Sequence, residues 1–274
     1  MKKQWIAYPY VVWMTIFIIV PLFLILFFSI TESTEAGISF TTKHFKKFVD
    51  PIYIDVLVRS VLLALYATII CLLLGYPFAL ILASKTFKRK SVLLMLTVVP
   101  MWMNFLLRTY SWMTLLEKNG PLNSILSALS LPTINILYTE TAVVLGMVYN
   151  FLPFMILPIY SVVSRLDKSL IEAAQDLGCN DVKVFKRVTL PLSLPGVISG
   201  ITMVFMPAVT TFVISRLLGG AQFMLIGNLI ERQFLSSGDW GFGSALSIIL
   251  MLLILLSMGV MSKYDREYGE GGLL

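Results

Sequence analysis

The chain has 274 residues, of which 58% are hydrophobic and 13% charged, with a mean hydropathy of +0.87 and a formal net charge of +6. Soluble domains carry about 25% charged residues, so this composition excludes one and leaves the bilayer as the solvent. The positive balance fits membrane topology and anionic headgroups, and without a solvated basic face interleaved with aromatics no nucleic-acid partner is expected.

Charge-poor runs near residues 10–30, 60–84, 91–116, 141–164, 193–215 and 241–261 are each long enough to cross about 30 Å of hydrocarbon as helix, and they predict six spans. Their continuous apolarity argues against a barrel, which needs short alternating segments. The first span follows Lys2 and Lys3 and is too long for a signal core, with no small-residue cleavage pattern before Thr31-Glu32, so it is expected to persist in the mature protein. In the loop after it, His44 has no second ligand nearby and reads as a solvated side chain. Arg59, at the outer start of the second span, reads as an interfacial anchor. Cys71 in that span and Cys179 in a later connection cannot meet, so neither a disulfide nor a metal pair is expected.

The third span contains Pro100, Trp102 and Asn104, then Arg108 and Ser111. The i, i+4, i+7 spacing of Asn104, Arg108 and Ser111 puts them on one helical face, which should look into protein or a cavity. The competing reading has Arg108 reaching an interhelical carbonyl near the outer surface. Seven prolines interrupt the spans, Pro21, Pro77, Pro100, Pro153, Pro158, Pro195 and Pro207, each favouring a kink. Gly196 and Gly200 form a small-xxx-small pair that reads as internal packing. None of the six runs contains Asp or Glu, which argues against a proton- or ion-coupled transporter and against a membrane hydrolase with paired carboxylates. Two outer segments, Gly120–Pro132 and Met224–Leu235, read as surface helices that either cap the bundle or receive a substrate-delivering partner.

The connection 165–191 is the most basic. Ser169 and Glu172 fit a capping box, so a helix should begin at Leu170 and end near Gly178. Asn180 or Asp181 then caps a second helix carrying Val182, Val184, Phe185 and Val188, with Lys183, Lys186 and Arg187 on its wet side. Ala173 and Ala174 would let a partner surface approach the backbone. Placing this connection, the Lys85–Lys90 turn and both termini in the cytoplasm gathers most basic residues inside, as the positive-inside bias requires. No Gly-x-x-x-x-Gly-Lys-Ser/Thr loop is present, so the chain is not expected to bind or hydrolyse ATP.

Glu172-Ala173-Ala174, Gly178 and, after nine more residues, Val188-Thr189-Leu190-Pro191 resemble the signature of permease subunits of ATP-binding-cassette importers, with Val188 where the family has Ile. The resemblance implies an all-α, six-span, MetI-like (type I importer) fold. It also implies a coupling helix that fits a cleft on an ATP-hydrolysing partner, a role carried onto Glu172, Ala173, Ala174, Gly178 and Leu190, with Asp176 and Leu177 in the same segment. Stretches such as Leu74-Gly75-Tyr76-Pro77, Ile226-Gly227-Asn228-Leu229-Ile230 and Asp239-Trp240-Gly241-Phe242-Gly243 are similar to the spermidine/putrescine branch. That branch implies a second, different permease, two ATPase subunits that hold ATP and Mg, an extracytoplasmic substrate-binding protein and a polyamine substrate. No cofactor or metal is expected in this chain, and membrane lipid surrounds it.

For a polycation, Trp102 and Tyr149 offer aromatic faces and Asn104 and Asn150 offer acceptors, so these four, beside Arg108, are the pathway candidates. The expected organisation is a first span and outer loop over 1–58, a five-span core over 59–261 containing a coupling segment over 168–191, and a cytoplasmic tail over 262–274. The expected location is the bacterial inner membrane. The alternatives are a permease for another solute, an opine, organic amine or inorganic anion, the last favoured by Arg108, and, from another class, a membrane enzyme or assembly factor. Against that last class stands the lack of a clustered His, Asp, Glu or Cys set in the spans.

Overall fold

A computed structural model of the chain describes residues 8–34, 37–84, 90–220 and 222–269. Lys2, Lys3, most of the Lys85–Lys90 turn and Ala221 lie outside the described residues. In chain order the helices are α1 (Tyr8–Ser29), α2 (Lys43–Phe48), α3 (Pro51–Ala83), α4 (Lys90–Trp102), α5 (Phe105–Leu116), α6 (Pro121–Ala128) and α7 (Glu140–Val163). They continue with α8 (Lys168–Asp176), α9 (Asp181–Thr210), α10 (Val213–Leu218), α11 (Ile226–Arg232) and α12 (Trp240–Gly269). Five of these are long and apolar enough to cross a membrane, and α4 with the Phe105–Ala128 stretch that holds α5 and α6 forms a pair bent by 98°, which brings the number to six if the pair is one broken span.

Local chemistry sets the helix ends. Asp50 caps α3 by accepting the Ile52 amide at 3.0 Å, with Pro51 at the first helical position, where its missing N–H costs nothing. Two π turns, Thr15–Ile19 and Phe185–Thr189, lie inside α1 and α9, and each ends two residues before a proline, Pro21 or Pro191. Val20 N–H bonds Thr15 O and Leu190 N–H bonds Phe185 O, five residues back. The extra residue in the turn relieves the clash that a proline ring makes with the carbonyl four residues earlier.

The centre of the bundle is α3, α7 and α9 packed on one another. Leu63, Ala67 and Cys71 from α3, Met147, Met155 and Ile159 from α7, and Val204 and Ala208 from α9 are buried there. Small residues make the approach possible. A Cβ on Gly200 would lie 2.8 Å from Met155 Sδ, one on Gly75 3.0 Å from Met155 Cγ, and one on Gly196 2.9 Å from the Pro158 carbonyl. Met155 is thus held between two glycines, and the Gly196/Gly200 pair lies in the α7–α9 contact, where helices associate by close packing. By contrast α1 buries only Ser29 and lies along α12 at the edge of the bundle.

Several sequence expectations change. Span three is not one helix: it breaks at Met103-Asn104. Asn104 caps α5 and is exposed, and within α5 Arg108 is buried while Ser111 is exposed, so the three do not look together into protein or a cavity. Helix α3 starts at Pro51, so a division at residue 58 would cut it, and α12 runs unbroken to Gly269 through the start of the segment expected as tail. A two-stranded hairpin, β1 (Thr31–Thr34) with β2 (Gly37–Phe40), adds strand to the all-α expectation.

His44 is not solvated. It is 8% exposed, with Nε2 3.2 Å from the Thr31 carbonyl and its ring so close to Gly241 that any side chain there would overlap it. Helix α11 is no surface helix either: Leu225, Ile226 and Leu229 are buried, and the Ile226 amide donates 2.8 Å to Ser60 Oγ of α3.

Candidate functional site

Two regions gather the sequence-predicted residues. The first is the corner formed by α8 and the start of α9. Its N-cap is Asp167, two residues before the expected Ser169: the Asp167 carboxylate accepts the Ser169 amide at 3.0 Å, and α8 begins at Lys168. That bond, joined by one from the Ser169 side chain, holds the Asp167 carboxyl below the usual aspartate range. At the other end Gly178 has φ of +80°, the left-handed region natural to glycine. Gly178 N–H reaches Gln175 O at 2.8 Å and Cys179 N–H reaches Ala174 O at 3.0 Å, the two bonds of a Schellman cap. Asn180 then accepts the Lys183 amide at 3.0 Å and starts α9.

No residue of α8 is fully buried: Ile171 and Ala174 are half-buried where the helix packs on the start of α9, and the rest of α8 is exposed. Glu172, Ala173 and Asp176 are exposed, Ala174 is half-buried, and Leu177 stands 85% exposed beside exposed Leu170 and Val182. A Cβ on Gly178 would meet nothing within 4 Å, so the glycine is required by backbone conformation and not by crowding. Leu190 sits past the π turn, part of it exposed. The corner is a helix capped at both ends that leaves the apolar side chains of Leu170, Leu177 and Val182 exposed.

The second region surrounds the break in span three. Arg108 is 8% exposed, and its Nη1 donates 2.6 Å to the Pro100 carbonyl across the break. The guanidinium lies over the Phe105 and Tyr149 rings, 5.8 Å and 5.9 Å from their centroids, and Trp112 meets Tyr149 edge-on at 5.1 Å. Of the two readings of Arg108, the structure has the interhelical carbonyl. Asn104 accepts the Leu106 and Leu107 amides at 2.9 Å and 3.3 Å, while Trp102 is 82% exposed at the end of α4.

Asn150 is 1% exposed, donates 2.8 Å to the Gly146 carbonyl and leaves Oδ1 unpaired. So Arg108 and Tyr149 come together, and Trp102 and Asn104 stand at the break. Tyr149 alone of the five lines a groove of about 410 Å³ between α3, α4 and α7, whose walls include Phe78, Leu96 and Pro100. Among the described residues no group of His, Cys, Asp and Glu could hold a metal ion. Arg59 of α3 pairs with Glu140 at the start of α7 at 3.4 Å and lies over Phe223.

Sequence reasoning missed Tyr76, Ser193 and Phe185 as a set. Tyr76 and Ser193 are buried and bonded to each other, and Phe185 packs edge-on against Tyr76. The available signal was a phenol inside an apolar span, since a buried tyrosine hydroxyl needs a partner.

Five helices long enough to cross a membrane, a bent sixth pair and a glycine-packed centre define a polytopic membrane protein. Residues 75–269 match the family described as binding-protein-dependent transport system inner membrane component, and the chain belongs to that family. It is 41% identical over 259 residues to the spermidine/putrescine transport system permease protein PotB of Escherichia coli (strain K12), covering 93% of this chain and 94% of the relative. The PotB protein of Haemophilus influenzae is 44% identical over 262 residues, covering 93% of this chain and 91% of its own. A chain of the bacterial alginate ABC transporter, solved in complex with alginate pentasaccharide-bound periplasmic protein, superposes with a TM-score of 0.80 at 16% identity, covering 97% of this chain and 96% of that one. The last likeness concerns the fold alone. The chain is thus a multi-pass inner-membrane transport subunit of the MetI-like permease fold.

Proposed function

We propose that this chain is one permease of an ATP-driven importer for polyamines of the spermidine/putrescine class. The observation that carries the coupling half of this reading is α8, an amphipathic helix with no buried residue, held in a fixed shape by Asp167 and the Gly178 cap. In this reading Glu172, Ala173, Ala174, Asp176, Leu177, Gly178 and Leu190 form the surface that meets a cleft of an ATP-hydrolysing subunit, which holds ATP and Mg. Two such subunits, a second permease and an extracytoplasmic binding protein complete the assembly, with both termini and the α8 corner in the cytoplasm. Closure of the ATPase pair moves the corner, and the kinked spans pass that motion to the pathway.

Polyamine as the substrate class rests on the identity to the PotB proteins along nearly the whole chain. Trp102, Asn104, Tyr149 and Asn150 are assigned to the pathway, where aromatic faces and acceptors attract ammonium groups. Arg108 is held at Nη1 by the Pro100 carbonyl and lies near the Phe105 and Tyr149 rings, while its buried Nε has no hydrogen-bond partner, so an anion at this position stays the alternative reading.

The test is uptake of labelled spermidine by cells carrying or lacking this chain, with sulfate as the comparison solute. Loss of spermidine uptake with sulfate uptake unchanged is expected. The same spermidine uptake in both strains would reject the substrate class.

A further inference from the structure

Helix α8 touches the rest of the protein in few ways, and that restricts how its movement can reach the spans. It buries none of its own residues and packs on the opening turns of α9, Asp181–Thr189. Those turns are seated in the bundle by Val184, which is 5% exposed, and by Phe185, which is packed against the hydrophobic core. On the far side stands Tyr76 of α3. Its ring meets Phe185 edge-on at 5.9 Å, and its hydroxyl lies 2.8 Å from Ser193 Oγ.

The direction of that bond follows from Ser193 itself. The Ser193 hydroxyl donates to the Leu190 carbonyl at 2.9 Å, so its proton is committed and the Tyr76 O–H is the donor. Tyr76 therefore grips α9 at Phe185, the first residue of its π turn, and at Ser193, four residues past the turn's end. A π turn is a local departure from the regular ladder, and helices bend at such places. Tyr76 and Ser193 are both buried, so water does not compete for the contact.

We propose that Tyr76 is the positioning residue that carries displacement of α8 to α3: it holds the start of the π turn and the helix beyond it, so that α9 moves with α3 instead of flexing within Phe185–Thr189. Without the clamp, α8 follows the ATPase while the flexible turn absorbs the stroke. This rests on the reading of α8 as the ATPase-docking helix. It adds a residue of α3, more than 90 positions away in sequence from α8, to the coupling path.

The test uses the complete importer in lipid vesicles, with spermidine uptake and ATP hydrolysis measured on the same preparation. Tyr76→Phe keeps the ring on Phe185 and removes the donor, and Ser193→Ala removes the acceptor. Each should lower spermidine taken up per ATP hydrolysed by several-fold, with the ATPase still bound and the melting temperature within a few degrees of the parent. The double variant should be no worse than Ser193→Ala alone, because that variant already lacks the Tyr76 bond along with the Ser193 bond to the Leu190 carbonyl. An unchanged ratio, or uptake and hydrolysis falling in equal proportion, would overturn the proposal.

If Tyr76→Phe does not assemble, Ser193→Ala and Phe185→Leu are read by the same ratio. Failure of the docking reading shows up separately, as an ATPase that stays bound to Glu172→Lys. Failure of the substrate reading appears as a parent importer without spermidine uptake. The clamp is then read from the nucleotide-driven change in labelling of a cysteine at the exposed Leu74, which should shrink in Tyr76→Phe.

Discussion

Arg108 Nη1 donates to the Pro100 carbonyl at 2.6 Å, and this bond spans the 98° bend between α4 and α5. Pro100 is four residues from the break at Asn104 and Arg108 is four residues beyond it, so one side chain joins both limbs of the broken span. The bend leaves backbone acceptors without helical donors, and a guanidinium, with five donors in a fixed plane, can serve one of them.

Arg108→Ala should therefore loosen the bend. A hydrogen bond to a charged group is worth about 1.5–3 kcal/mol, so the purified complex should melt several degrees lower and transport more slowly. Arg108→Lys keeps a donor but loses the planar contact with Phe105 and Tyr149, and should fall between the two. A melting curve for Arg108→Ala that overlays the parent would show that the bend stands without it.

Leu177 is the most exposed apolar side chain of the α8 corner. Leu177→Asp should abolish co-purification of the ATPase while leaving the melting temperature of the isolated chain unchanged, since the side chain contributes nothing to its own core. Retention of the ATPase would place the docking surface elsewhere.

At Gly178 the backbone, with φ of +80°, sets the cost. A left-handed conformation costs an L-residue about 1–2 kcal/mol, and nothing crowds the position. Gly178→Ala should loosen the corner and lower ATPase affinity, and Gly178→Asn, which tolerates this conformation, should recover most of it. Equal losses in Ala and Asn variants would mean that the partner, and not the backbone, requires the glycine.

Gly146 is a packing position. A Cβ there would overlap Leu218 and lie 2.9 Å from Ile214 Cγ2, both fully buried on α10. Overpacking a filled core costs about 1–3 kcal/mol, so Gly146→Val should lower the yield of folded protein, measured by gel filtration in detergent. A yield equal to that of the parent would show that α10 can shift.

Asp239 opens α12 by accepting the Phe242 amide at 3.0 Å and holds Lys47 of α2 at 2.9 Å. Burial pushes its pKa up, but the hydrogen bonds from Lys47 and Phe242 outweigh burial and hold the carboxyl below its ordinary value. A depressed carboxyl stabilises the fold above its ordinary pKa and loses that contribution as pH falls through the depressed value. Asp239 should thus add no slope to stability between pH 5 and 8, and melting temperatures of the parent and Asp239→Asn should differ by a constant over that window. A gap that closes toward pH 5 would contradict the lowered pKa.

The sequence by itself determined the membrane class, the helix corner at Gly178 and the family. These depend on composition, on run length and on local capping, where partners lie within five residues, and a linear pattern records such neighbours directly. Only the tertiary structure decided the break in span three, because a cap inside an apolar run, at Asn104, looks like one more polar residue until the chain turns. It also decided the burial of His44 beneath Gly241 and of Ile226 against Ser60, and the grip of Tyr76 on Phe185 and Ser193. Those contacts join residues more than 100 positions apart. In a chain surrounded by lipid nearly every span residue is apolar, so hydrophobicity no longer tells the inside of the bundle from the outside. What separates them is which small residues let two backbones meet and which polar atoms find each other, and that is settled when the helices pack.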